Sequence, residues 1–187
     1  VAMVNGTVQC VGRGDSGQLG NSASSNSTTA VTVTDIATAT SVVAGVNFGC
    51  ALLADTTVKC WGDNTYGQLG NGTNTASNSP VIVKGLTGVT ALAAGDTHLC
   101  AVLTSKAVRC WGRGLEGQIG NGGNLNTNVP LSVTGLSNVQ SIAVGVGHAC
   151  ALLADSTIQC WGYNANGQLG DGTTTNRNAP VQVTGIG

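Results

Sequence analysis

Charge is what this sequence lacks most. Only 8% of its residues are Asp, Glu, Lys or Arg, and seven basic against eight acidic residues leave a formal net charge of −1. The basic residues stand singly. No stripe of Lys and Arg exists to neutralise a run of phosphates, so nucleic acid is not an expected partner. Long apolar runs are missing as well: none approaches the roughly 18 residues of a membrane-spanning helix, and membrane insertion is not expected. Aromatic residues make up 3% of the chain and proline occurs three times. Sustained helical periodicity is absent. So are a nucleophile elbow, a phosphate-cradling loop and the closely spaced cysteine pairs of a zinc site. With no constellation to carry chemistry, the expectation is a chain without cofactor, metal or catalytic residue, and not an enzyme.

What is present compensates in kind. The 187 residues include 29 glycines, seven cysteines and many Thr, Asn, Ser, Val and Ala. Hydroxyls and amides, not ions, supply the polarity, a composition that suits an extracellular protein better than a cytosolic enzyme. The length is enough for one domain with a sizeable core.

The dominant feature is a repeat. "CVGRGDSGQLGNSA" at Cys10 is followed by "CWGDNTYGQLGNGT" at Cys60, "CWGRGLEGQIGNGG" at Cys110 and "CWGYNANGQLGDGT" at Cys160, a period of 50 residues. Upstream of the last three stand "CALLADTTVK", "CAVLTSKAVR" and "CALLADSTIQ"; downstream lie "SPVIVKG", "VPLSVTG" and "APVQVTG". Each unit reads as short strands divided by turn residues. "VTALAAG" alternates as a half-buried strand does. "LCAVL" and "AVRCW" flank Thr104–Lys106 as the arms of a hairpin. In the first copy Asn5-Gly6, a strong hairpin signal, occupies that turn. Thr56, Lys106 and Ser156 replace its glycine elsewhere, so those turns use another geometry or tolerate strain. A Gly-, Asn- and Thr-rich loop follows, and Pro80, Pro130 or Pro180 is expected to open a last strand, where no ladder donor is needed.

Four strands per unit describe a propeller blade. The units resemble repeats of the regulator of chromosome condensation family, on Gly95-Asp96-Thr97-His98-Leu99-Cys100-Ala101, Val108 to Gly112 and Gly117-Gln118-Ile119-Gly120. The resemblance covers nearly the whole chain and implies an all-β fold: β-propeller-type blades of four antiparallel strands, in a partial or open propeller of nearly four repeats. Units are expected at about 1–37, truncated at its N-terminus, then 38–87, 88–137 and 138–187. A start at Val1 instead of Met, inside a hairpin strand, reads as a window on a longer array.

Cysteines at two fixed offsets add to the family pattern. Cys50 and Cys60, Cys100 and Cys110, and Cys150 and Cys160 fall opposite each other on the expected hairpins, compatible with disulfides. Buried thiols or a metal site are the alternatives. Three such staples would place the protein in an oxidising compartment, secreted or at the cell surface. Cys10 is left unpaired, its periodic partner falling one position before Val1.

Other recurring residues read as architecture. His98 and His148 share a slot with Phe48, which points to packing and local hydrogen bonding. Trp61, Trp111 and Trp161 are suited to inter-blade packing. Gln18, Gln68, Gln118 and Gln168 can bond loop backbone. Asp55 and Asp155 suit turn capping, and Asp171 matches Asn71 and Asn121. Asn5, Asn26 and Asn71 stand in N-x-Thr sequons.

Between glycines 12 and 17, and at the same place in each unit, lie four variable positions. They include Arg13 and Asp15, Asp63 and Tyr66, Arg113 and Glu116, and Tyr163 and Asn166. "RGDS" at Arg13–Ser16 is one variant of this set, a loop tripeptide and not an integrin ligand. These positions, with the Asn121–Asn128 loop, are the candidate binding surface of a non-enzymatic module for protein binding or scaffolding. A structural subunit assembling into a fibre, sheath or multi-chain propeller is the alternative. Nucleotide exchange on a small GTPase, which the family name suggests, sits poorly with disulfide-bearing blades.

Overall fold

The computed structural model describes residues 1–185 and contains fifteen strands; no helix occurs among the described residues. The first blade has β1 (Ala2–Val4), β2 (Thr7–Gly12) and β3 (Ser27–Thr32). The second runs through β4 (Ala39–Ala44), β5 (Phe48–Leu53), β6 (Val58–Gly62) and β7 (Ser77–Ile82). The third holds β8 (Val89–Ala94), β9 (His98–Leu103), β10 (Val108–Gly112) and β11 (Thr127–Ser132). The fourth holds β12 (Val139–Val144), β13 (His148–Leu153), β14 (Ile158–Gly162) and β15 (Arg177–Gln182). Every sheet is an antiparallel meander in chain order, three strands in the first blade and four in each of the others. The fold is that of propeller blades. The inner strands β4, β8 and β12 stand side by side, and Val46 N–H donates to the Asp96 carbonyl at 3.1 Å between neighbouring blades.

Apolar side chains gather between blades. One buried cluster joins Val8, Leu19 and Val33 of the first blade to Trp61 of the second. A second joins Leu69 and Val83 to Trp111, and a third joins Ile119 and Val133 to Trp161. Each indole N–H donates to a carbonyl in the preceding blade: Trp61 to Gln18 at 3.1 Å, Trp111 to Gln68 at 3.0 Å and Trp161 to Gln118 at 2.9 Å. Gly20, Gly70 and Gly120 lie against those rings, where a Cβ would stand 2.7–2.8 Å from an indole atom. Burying Trp this way satisfies both its area and its polar edge.

Hairpin chemistry resolves as two turn types. Among the described residues, Thr56, Lys106 and Ser156 take φ of 67°, 63° and 70°, and their N–H groups close onto Leu53, Leu103 and Leu153 at 2.8–3.0 Å. That is a turn followed by a left-handed residue, the three-residue hairpin loop, so the strain is borne by a non-glycine. Asn5-Gly6 is different: both have positive φ and Val4 pairs directly with Thr7, a two-residue loop. The first hairpin therefore pairs Met3 with Val8, one residue out of the register in which Leu52 meets Val58. The turns that lack the glycine thus use another geometry, as expected from its replacement, and the difference in loop length sets the register.

The expectation for proline is corrected. Pro80, Pro130 and Pro180 are the fourth residue of β7, β11 and β15, not the first. Register jumps from Cys60↔Val81 to Gly62↔Ser77, so the proline falls in a bulge that needs no donor.

Cys50–Cys60, Cys100–Cys110 and Cys150–Cys160 are disulfide-bonded, each between directly opposed residues with Cα atoms 4.0–4.1 Å apart. Cys10 is a buried free thiol, and burial pushes its pKa up.

Candidate interaction face

In a four-stranded meander the first and third connections emerge on one side. The inner turns at Val46, Asp96 and Val146 therefore share a face with the long loops that hold the variable positions. Direct bonds hold the two sets together: the N–H groups of Asp63, Arg113 and Tyr163 donate to the carbonyls of Asn47, Thr97 and Gly147 at 2.8–3.0 Å. The hairpin turns at Asp55 and Asp155 lie on the opposite face. There each carboxylate accepts from the N–H of Thr57 or Thr157 at 3.0 Å and from its hydroxyl at 2.6 Å, which lowers the Asp pKa.

Each variable loop is closed from within. The side-chain oxygens of Gln18, Gln68, Gln118 and Gln168 accept from the N–H of Ser16, Tyr66, Glu116 and Asn166 at 2.8–2.9 Å. Two solutions then hold the long loop. In the second and fourth blades a buried Asn does it: Asn64 Oδ1 accepts from Leu69 N–H at 2.9 Å while its Nδ2 donates to the Thr73 and Thr75 carbonyls at 2.9 and 3.0 Å. Asn164 repeats the pattern with Leu169, Thr173 and Thr175. In the first and third blades Gly14 and Gly114 take that position and the loop backbone collapses onto them; a Cβ would run into the carbonyls of Ser25 and Leu125. Asn26 and Asn126 then accept from the two glycine N–H groups at 3.0 Å. Asn164 N–H donates to Asn176 Oδ1 in the same way at 2.8 Å, so the Asn twelve residues on recurs in three blades, a pairing that sequence reading missed; what sets Gly14 and Gly114 apart is the room they leave for the loop backbone.

Charged variable residues are engaged within their own loops. Arg13 and Asp15 form an ion pair at 2.8 Å with side chains 64% and 51% exposed, and Arg13 Nε donates to the same carboxylate oxygen at 2.9 Å. That bond lowers the Asp15 pKa and raises that of Arg13. Asp63 bonds Thr65 and Gln68. Arg113 pairs with Glu116 at 2.6 Å and lies 5.9 Å over the Tyr66 ring. Tyr163 and Asn166 are exposed, with no side-chain hydrogen bond among the described residues. In the Asn121–Asn128 loop, Asn128 instead bridges blades, donating to Asn74 Oδ1 at 2.9 Å.

His98 packs as expected but does not bond. It is fully buried, neither ring nitrogen has a partner among the described residues, and burial drives its pKa down to about 4. His148, in the same slot, is half-buried and its pKa is lowered by burial too. No group of three or more metal-ligating side chains occurs among the described residues.

A family model described as "Regulator of chromosome condensation (RCC1) repeat" matches residues 57–102, 108–152 and 157–187. A second model of the same description matches residues 39–68, 89–118 and 139–168. No curated protein matches. Among solved structures, human WBSCR16 superposes with a TM-score of 0.84 at 26% identity, over 96% of this chain and 49% of that one. Yeast RCC1 (Prp20), solved bound to Kap60, gives a TM-score of 0.84 at 19% identity, over 95% of this chain and 44% of that one. Prp20p from Saccharomyces cerevisiae, described with its binding properties to Gsp1p and histones, gives 0.83 at 19%, over 95% and 46%. The chain spans about half the length of these proteins or less.

Proposed function

The chain belongs to the regulator of chromosome condensation (RCC1) repeat family, and from that premise we propose that it is a non-enzymatic module that binds a protein partner through the loop face of its blades, in an oxidising compartment outside the cell. One observation carries the reading. In a chain this poor in large apolar residues, Leu115, Leu125, Val146 and Tyr163 are 49%, 80%, 70% and 37% exposed, and all four lie on the loop face of the third and fourth blades. Apolar side chains grouped on a surface and rimmed by polar ones mark an interaction site. The loops beneath them are braced by Gln118, Asn126 and Asn164, so the contacts sit on a stiff frame. That the yeast relatives bind proteins supports a protein as the class of partner. Three intra-blade disulfides support the compartment. The test is photo-crosslinking in the native extracellular fluid, from a reactive residue at Leu125 and from one at Asp155 on the other face. A discrete protein adduct from Leu125 alone supports the reading; adducts from both positions alike, or from neither, refute it.

A further inference from the structure

Between the third and fourth blades the loop face opens into a cavity of about 480 Å³. Arg113, Glu116 and Gln118 form its wall on the third blade, Val146, Gly147 and His148 its floor, and Tyr163 the wall opposite.

Gly147 keeps this space open. Asn47 and Thr97 hold the same position in the two preceding blades. A Cβ at Gly147 would lie 3.2 Å from Tyr163 Cβ and 4.0 Å from Gln118 Nε2, so a side chain there would enter the cavity. At the previous junction, with Thr97, Arg113 reaches over the Tyr66 ring and His98 is sealed beneath.

The walls carry no uncompensated charge. Arg113 is paired with Glu116, whose other oxygen accepts from the Gln118 amide. A charged ligand would have to break that pair or enter without a counter-charge, and either costs free energy. The tyrosine ring and Val146 supply apolar surface. Polar capacity is unspent at a few points: no described residue hydrogen-bonds the Tyr163 hydroxyl, a His148 ring nitrogen, the Asn166 side-chain amide or Gln168 Nε2, and all four residues line the cavity. Burial lowers the His148 pKa, so the imidazole is neutral near neutral pH and can donate and accept. A pyranose carries hydroxyls around its whole rim and would bury several of them unpaired against Val146 and the tyrosine ring. A flat ring with one polar tip fits both the apolar walls and the few polar atoms.

We propose that this cavity is the anchor point of the loop-face interface and receives one uncharged aromatic side chain, a tyrosine, from the partner polypeptide. Its ring lies against Tyr163 and Val146, and its hydroxyl bonds the imidazole of His148 or the amide of Gln168. Leu115 and Leu125 are exposed on the same loop face and offer the partner further apolar contact outside the cavity. The inference rests on the protein-binding reading above.

The test is a titration of the ¹⁵N-labelled chain with N-acetyl-L-tyrosinamide, beside N-acetyl-L-alaninamide and methyl β-glucopyranoside, followed by amide shifts. Tyrosinamide is expected to move Gly147, His148 and Tyr163 saturably, with the millimolar affinity usual for so small a ligand, while the other two do not. Gly147→Thr, the residue at position 97, should weaken binding at least about tenfold with the unfolding midpoint unchanged. Tyr163→Ala is the second variant should the threonine disturb the fold. Absence of saturable shifts, equal binding of the glucoside, or full binding by both variants overturns the proposal. Crosslinking from Leu125 that persists without tyrosinamide binding sinks this anchor alone; loss of both sinks the protein-binding reading with it.

Discussion

Trp111 in the third blade donates its indole N–H to the main-chain carbonyl of Gln68 in the second, at 3.0 Å, with the ring fully buried against Gly70. The bond recurs at Trp61 and Trp161, so each junction is held by a large apolar body with one directed polar contact. Trp111→Ala is expected to destabilise by about 3–5 kcal/mol, as cavity-forming Trp truncations do. Trp111→Phe should cost less, about 1–3 kcal/mol, because it fills most of the space and chiefly leaves the Gln68 carbonyl buried and unpaired. Urea denaturation of the three proteins checks the order; a Phe variant as unstable as the Ala variant would assign the whole effect to the hydrogen bond.

The disulfides act on the unfolded chain. Each closes a loop with a sequence separation of 10, which by loop entropy is worth roughly 2–3 kcal/mol. Cys100→Ala with Cys110→Ala should lower stability by that amount while the amide spectrum of the other blades stays in place. Full reduction of the wild type should lower its unfolding midpoint further than the double variant does, since it opens all three loops.

Much of this architecture was legible because a repeat displays its own constraints. The alignment of Cys50 with Cys60, and of its equivalents, named the hairpins and their bonds before any coordinates. Tryptophan after each second cysteine pointed to the junction, but its acceptor, 43 residues earlier, could not be read from a linear pattern. The glycine missing at Thr56 pointed to a different turn there, but not to the one-residue shift in the register of β1 that the shorter Asn5-Gly6 loop brings. One local inference erred for a physical reason. Pro80 looks like a strand opener, yet a bulge opposite Trp61 lets it sit inside β7. The loop face was partly legible: variability marked its positions, while the mutual bonds of Arg13 and Asp15, or the cavity that Gly147 leaves, depend on distances no sequence carries.

Asn64 tests the loop brace. Its amide is buried and makes three bonds to backbone groups, so Asn64→Ala strands a donor and two acceptors. A loss of about 2–4 kcal/mol is expected. Gly114→Asn should not rescue the same pattern in the third blade, because the Leu125 carbonyl occupies the space; it should destabilise and raise hydrogen exchange in the loop before Thr127.

The tripeptide Arg13-Gly14-Asp15 should not act as an adhesion signal. Its two charged ends are paired with each other and its glycine is pinned by Asn26. Cells plated on the immobilised chain are expected to attach no better than to Asp15→Ala. Attachment that this variant or a free Arg-Gly-Asp peptide abolishes would show the ion pair opening to serve an integrin.

His98 makes stability pH-dependent. An unfolded histidine titrates near 6.5, whereas burial, with His148 and Arg113 nearby, brings His98 in the folded chain to about 4. Between those values the unfolded chain binds a proton that the folded chain refuses, so stability falls as pH drops from about 6.5 towards 4 and levels off below. The full difference is roughly 3 kcal/mol. His148 shifts in the same direction and adds to the slope. Asp55, Asp155 and Asp171 have lowered pKa values, so what they contribute is lost only at lower pH, as each protonates. His98→Phe, which installs the residue found at position 48, should remove most of the slope between about pH 6.5 and 4.5. It should also raise stability at neutral pH by about 1–2 kcal/mol, since two unpaired buried nitrogens disappear. Urea midpoints for both proteins across that range decide it; a variant as acid-sensitive as the wild type would move the effect to other groups.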